Sequence, residues 1–205
     1  MKLPSPSPTF LVLLAFFLLA LPVDEWLYYK LLPISNSQIG TLWAHAADYL
    51  GNGFSLIIFS IFIALFNKLL TKKDFKRIVV SCSVAVALSG VAGYLLKVVI
   101  GRPRPGMELP SWQIDFFNMA SDFHSFPSGH AAASFSIAFC LCYFIPRLQI
   151  LWLGSAMLIS LGRVVGQAHF LTDVVAGAII GFLCANFTSK GDYYKILLPQ
   201  KFLRD

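Results

Sequence analysis

The sequence predicts an all-α membrane protein, a single domain built as a bundle of six transmembrane helices, and three observations carry that prediction. Hydrophobic residues make up 57% of the 205-residue chain and charged residues only 13%, against roughly 25% charged in soluble domains. Mean hydropathy is +0.72, and several apolar runs approach the roughly 20 residues that a helix needs to cross a bilayer. The runs are continuous rather than alternating, so they read as helices and not as barrel strands, the two forms that satisfy the backbone in lipid.

The first run, residues 9–23, follows Lys2 and a short Pro-Ser stretch. A basic residue ahead of an apolar run also describes a signal peptide. No small-x-small site precedes Pro22, and Leu21 stands where a small residue would be wanted, so the run is read as an uncleaved anchor. Residues 50–70, 78–100, 128–145, 150–165 and 173–187 supply the other spans, with no internal repeat. In the third, Ala85, Ser89 and Gly93 recur at four-residue spacing, a stripe that lets helices approach closely. It is read as packing within the chain, and no feature reports an oligomeric state. Cys82, Cys140, Cys142 and Cys184 all fall in spans, where cysteine acts as a small hydrophobe. Cys140 and Cys142, two residues apart, point to different sides of a helix and make no metal site.

Lysine and arginine collect on the cytoplasmic side. With the amino terminus inside, eleven of the 16 basic residues fall in inner segments and seven of the ten acidic residues in outer ones. Both termini are then cytoplasmic, and segments 24–49 and 101–126 lie outside. This inner belt accounts for the net charge of +6. The implied partner is therefore the bilayer, and nucleic acid has little support.

Ionisable groups in or beside apolar spans are costly, which makes each a functional candidate. Three motifs hold them: Lys97 with Arg102-Pro103-Arg104-Pro105, then Pro127-Ser128-Gly129-His130, then Arg163 with His169 and Asp173. Span counting places all three at the outer membrane boundary. Taken singly, each has a structural reading. Arg-Pro-Arg-Pro is an ordinary helix stop with snorkelling arginines, Pro-Ser-Gly-His is a good N-cap, and His-x3-Asp is a salt bridge one turn long. Taken together, Lys97, Arg104 and Arg163 supply three fixed cations, His130 and His169 two imidazoles, and Asp173 a carboxylate. Lys97 offers a point charge and Arg104 a planar fork, both suited to phosphate oxygens. The helix opening at Ser128 and Gly129 presents free N–H groups to an anion. Asp173 can accept from one nitrogen of His169 and leave the other to attack.

These motifs, in this order, resemble those of the type 2 phosphatidic acid phosphatase superfamily. Lys97, Arg104 and Pro105 match its Lys-x6-Arg-Pro, and residues 127–130 match its Pro-Ser-Gly-His without change. Arg163, His169 and Asp173 match its third motif, in which Gly162 replaces the usual Ser. The resemblance implies a membrane lipid phosphatase without metal or other cofactor. His169 would be the nucleophile, Asp173 its orienting group and His130 the acid. Lys97, Arg104, Ser128, Gly129 and Arg163 would hold the phosphoryl group. Residues 123–130 resemble the same stretch in lipid A 1-phosphatases. Lipid A phosphate, polyprenyl diphosphate and phosphatidylglycerol phosphate are the candidate substrates, at the outer face of a bacterial inner membrane. The alternatives are a phosphotransferase using the same site and a non-enzymatic transporter or scaffold for anionic lipid. His124 reads as a solvated loop histidine and His45 as part of an interfacial helix. Trp26, Tyr28, Tyr29, Trp43, Tyr49, Trp112, Phe116, Phe117 and Met119 read as headgroup-level anchors.

Overall fold

Long apolar stretches with few internal breakers fold here into eight α-helices among the described residues. The computed structural model describes residues 7–71, 75–107 and 109–190, and no strand occurs among them. Helix α1 (Pro8–Ala20) begins where the Ser7 hydroxyl accepts from the Phe10 amide, with proline in its first turn. It is apolar all round and leaves Leu11, Val12, Phe16, Leu18 and Leu19 exposed, as a lipid-facing helix does. A 3-10 turn at Leu21–Val23 leads into α2 (Asp24–Ser35). The first apolar segment is thus 28 residues long, Pro8–Ser35, rather than the shorter run expected.

After a tight turn comes α3 (Gln38–Leu50), capped by Ser37, and then α4 (Gly53–Thr71), bent 69° from α3. Much of the outer segment 24–49 is therefore helical. Helices α5 (Phe75–Ile100), α6 (Gly129–Phe144), α7 (Gln149–Val165) and α8 (Leu171–Lys190) follow.

Among the described residues, four helical segments are long and apolar enough to cross a membrane, and five if α3 and α4 form one bent span. The sequence predicts six. The shortfall is α6, only 16 residues long. Its position explains why shortness is tolerated. It packs against α4, α5, α7 and α8 at once, and ten of its residues are buried, so neighbouring helices replace lipid around it.

The contact of α6 with α8 is backbone on backbone. A Cβ at Gly177 would come within 2.6 Å of the Ser128 carbonyl oxygen, and one at Gly181 within 2.7 Å of that of Ala132. The face of α7 against α3 is equally close. Gly162 meets Ala47 and Trp43, and Gly166 meets Ala44, while the Trp43 indole N–H donates to the Leu158 carbonyl at 3.0 Å. These two glycine pairs fix the relative positions of α3, α6, α7 and α8. The stripe on α5 is buried within the bundle at Ala85, Ser89 and Gly93.

At the end of the bundle away from the motifs, Arg77 donates to the Ser189 carbonyl at 3.1 Å and lies over the Tyr143 and Phe144 rings. All four cysteines are free thiols. Of the basic residues that set the expected orientation, Lys2, Lys72, Lys73, Lys195, Lys201 and Arg204 lie outside the described residues.

Candidate active site

Helix α5 ends one turn beyond Lys97, and the chain leaves it through Gly101, whose φ of +58° is a conformation glycine adopts without penalty. A side chain there would also strike the Asp115 carbonyl. This sharp exit turns Lys97 and the arginine pair toward the 121–125 stretch. Lys97 Nζ donates to the His124 carbonyl at 2.5 Å. Arg104 donates from Nε to the Ser121 carbonyl at 3.2 Å.

The second motif opens α6. Ser128 is the N-cap, its hydroxyl accepting from the Ala131 amide at 3.4 Å. Its own N–H donates to the Asp173 carbonyl at 3.0 Å, so this amide, expected to face an anion, instead ties α6 to α8. The first-turn amides of Gly129 and His130 have no intrahelical acceptor, as at any helix start. A Cβ at Gly129 would meet nothing within 4 Å, so the helix start is open on that side.

His169 follows α7 in a turn through Gln167, a residue with φ of +55° whose buried amide atoms have no protein partner. The imidazole is 3% exposed. Its Nδ1 lies 2.8 Å from the Ser125 carbonyl oxygen, which can only accept, so Nδ1 carries the hydrogen and Nε2 the lone pair. The sequence assigns this hydrogen bond to Asp173, but Asp173 Oδ2 stands 3.6 Å away, beyond hydrogen-bonding range. That oxygen accepts instead from the Ser125 hydroxyl at 2.6 Å and the Phe170 amide at 2.8 Å. Burial pushes His169 down to about 4, with Asp173 opposing the shift and Lys97 and Arg104 adding to it. The ring is neutral at physiological pH.

Two acids from the amino-terminal third complete the cluster, neither of them singled out by sequence spacing. Asp48, at the end of α3, pairs with Arg163 at 2.6 Å through Oδ1. His130 Nε2 lies 3.1 Å from the Asp48 carbonyl oxygen and 3.3 Å from Oδ1. Arg163 Nε is buried without a protein partner. Asp24, at the start of α2, pairs with Arg102 at 2.8 Å. Arg102 itself corrects the sequence reading. It is no snorkelling helix stop but the largest fully buried side chain of the protein's described residues, paired also with Asp173 at 2.5 Å. Trp112, expected to be an anchor, covers its guanidinium at 3.8 Å. His124 is peripheral, its Nε2 on the Asn118 carbonyl at 3.1 Å, and His45 sits exposed on α3.

Lys97, Arg104, Arg163, His130, His169 and Asp173 thus meet at one end of the bundle, within electrostatic reach of one another. Among the described residues no three His, Cys, Asp or Glu side chains gather as metal ligands would. Three cations around a neutral imidazole with an available lone pair can bind an oxyanion and attack its central atom.

Fold and site together define a polytopic helical membrane protein with cationic side chains and two histidines gathered at one end of its bundle. Residues 78–196, more than half of the chain, match the PAP2 superfamily, and the protein belongs to it. A lipid A 1-phosphatase of Rhizobium johnstonii is 37% identical over 100 residues, 47% of this chain and 40% of that protein. A second, from Rhizobium etli, is 36% identical over 100 residues, 47% of this chain and 42% of the relative. The chain thus spans about two-fifths of the length of these relatives. Among solved structures, Aquifex aeolicus LpxE superposes with a TM-score of 0.63 at 26% identity, covering 82% of this chain and 96% of that one. A PAP2-type phosphatidylglycerolphosphate phosphatase from Bacillus subtilis gives 0.63 at 23% identity, over 91% and 96%, a likeness of fold.

Proposed function

We propose that the protein is a metal-independent lipid phosphate phosphatase, hydrolysing phosphate monoester or diphosphate groups of membrane lipids through a phosphohistidine. One observation carries this reading: His169 is buried and neutral, with Nδ1–H held by Ser125 and Nε2 left as the nucleophile. Binding alone would need the cations and no such nitrogen, which weighs against a transporter or scaffold of anionic lipid. Nε2 attacks phosphorus as the bond to the lipid oxygen breaks. His130 delivers a proton to that oxygen, and water then cleaves the N–P bond. Lys97, Arg104, Arg163 and the Gly129 and His130 amides stabilise the equatorial oxygens, and such positioning and charge dominate phosphoryl transfer. Asp48 holds His130 in place.

Lipid A 1-phosphate is the preferred substrate, supported by the two relatives carrying that activity in their names. In this reading α3–α4 and α6 each cross the membrane, giving six spans, cytoplasmic termini, and a site at the outer face of the inner membrane. The test is phosphate release by the purified protein from lipid A 1-phosphate, polyprenyl diphosphate and phosphatidylglycerol phosphate, with chelator present. Activity should survive the chelator and be inhibited by vanadate, which mimics the transition state. Loss of activity in chelator with recovery on adding magnesium would sink the mechanism. Release from none of the three lipids would favour a binding protein, and transfer of label to a lipid acceptor a phosphotransferase.

A further inference from the structure

Every donor-bearing nitrogen of Arg102 is engaged. Nε donates to the Ser111 carbonyl at 2.6 Å, Nη1 to Thr172 Oγ1 at 2.7 Å and Asp173 Oδ1 at 2.5 Å, and Nη2 to Asp24 Oδ2 at 2.8 Å. Its flat faces are closed by Trp112 at 3.8 Å and Phe170 at 4.3 Å. Asp24 reaches the same place from the start of α2. Oδ1 accepts from the Thr172 amide at 3.0 Å, and Oδ2 takes the Thr172 hydroxyl as well as Arg102. The first turn of α8, which carries Asp173, is thereby clamped between α2 and the loop after α5.

A buried ion pair is weak evidence for stability, because desolvation consumes much of its attraction. Here two carboxylates share one guanidinium, which leaves a surplus negative charge where His169 must become cationic on accepting phosphorus. The geometry also converges on His169. Arg102 fixes Asp173 Oδ1, so that Oδ2 can orient the Ser125 hydroxyl. The Arg102 carbonyl accepts the Ser125 amide at 3.1 Å. Ser125 in turn supplies the carbonyl that holds His169 Nδ1–H. Arg102 therefore controls both residues flanking Nδ1 while touching neither the ring nor the phosphate pocket.

We infer that Asp24, Arg102 and Thr172 are positioning residues for the nucleophile, a clamp that sets the orientation and charge of the His169 pocket through Asp173 and Ser125. The inference rests on the phosphohistidine reading above. Asp24→Asn keeps the shape and removes the outer charge. Thr172→Val removes only the hydroxyl that bridges Asp24 and Arg102, so it tests the clamp even where the charge variant does not fold.

The experiment measures kcat, KM, inhibition by inorganic phosphate, and single-turnover labelling of His169 with labelled substrate, on full-length variants selected for intact thermal unfolding. Misplacing a reacting group by about 1 Å costs on the order of 100-fold. The charge variant should therefore lose roughly 10- to 100-fold in kcat and labelling rate, and Thr172→Val should show a smaller loss of the same kind. KM and the phosphate inhibition constant should stay within about threefold, since a transition-state effect leaves ground-state binding intact. Asp24→Glu, which restores the charge, should recover part of the rate. Wild-type rates in folded Asp24→Asn or Thr172→Val protein would overturn the clamp and leave the mechanism standing. A parallel loss of phosphate binding would overturn it too, as a collapse of the pocket. Absence of label on His169 in the wild-type protein would instead remove the phosphohistidine reading itself.

Discussion

Replacing Gly162 by serine, the residue usual at this place in the family, should damage this protein, and the contact of α3 with α7 says by how much. A Cβ at Gly162 would collide with Ala47 Cβ and lie 3.0 Å from Trp43 Nε1 and 3.1 Å from Cδ1. Neither neighbour yields cheaply. Ala47 is 2% exposed and has no rotamer to change, and Trp43 is tethered to the Leu158 carbonyl. The helices must therefore separate. Overpacking of this kind costs about 1–3 kcal/mol, and the helix-propensity gain over glycine, about 0.5 kcal/mol, does not offset it. At roughly 2–4 °C per kcal/mol for a chain of this size, the unfolding midpoint should fall by about 1–10 °C.

Activity should suffer more than stability. Asp48 follows Ala47 directly and holds both Arg163 and His130. A shift of α3 moves that carboxylate, and a displacement near 1 Å is worth on the order of 100-fold in rate. Thermal unfolding in detergent and phosphate release from lipid A 1-phosphate measure the two effects. Adding Ala47→Gly removes the worst overlap and should restore most of both. A Gly162→Ser protein with wild-type midpoint and rate would refute the packing argument. So would a double variant less stable than Gly162→Ser alone.

Three further outcomes follow from the site. His169→Ala should abolish turnover and the covalent intermediate, whereas His130→Ala should lose about 100- to 10,000-fold. The His130→Ala loss should shrink on a nitrophenyl phosphate, whose leaving group needs little protonation, and label trapped on His130 would reverse the assignment. Folding favours the neutral form of His169, held near 4 against an ordinary 6.5. Its contribution is therefore complete above about pH 6.5 and lost as pH falls toward 4, on the order of 3 kcal/mol in total. The wild-type unfolding midpoint should drop across that window more steeply than that of His169→Gln, and parallel curves would remove burial as the cause. A cysteine at position 115 should react with impermeant reagent from outside the cell, and labelling only from the cytoplasmic side would invert the orientation.

Periodicity and composition carried α4, α5, α7 and α8 in the sequence to within a few residues, because each is a long apolar run ended by charge, glycine or a turn. They did not carry α2, whose mixed composition suits a loop as well as a helix, and they gave α3 only as an interfacial helix around His45. They did not carry the depth of α6 either, since burial on every side is a tertiary property. The same division holds in the site. Lys97, Arg104, His130, Arg163, His169 and Asp173 were legible because polar groups beside apolar spans are rare and span counting aligns them. Asp24 and Asp48 were not, because their partners lie far along the chain, as with the 148 residues between Asp24 and Thr172. One signal was available for Asp24: an acid closing an apolar run needs a cation, and Arg102 was the basic residue at that depth with no role assigned to it. Arg102 shows why charge accounting has to precede motif reading. A snorkelling arginine must reach water, and this one is followed at once by proline and enclosed by two aromatic rings. A guanidinium so enclosed has to be matched by carboxylates from within the fold, and the two that match it also hold the first turn of α8 in place.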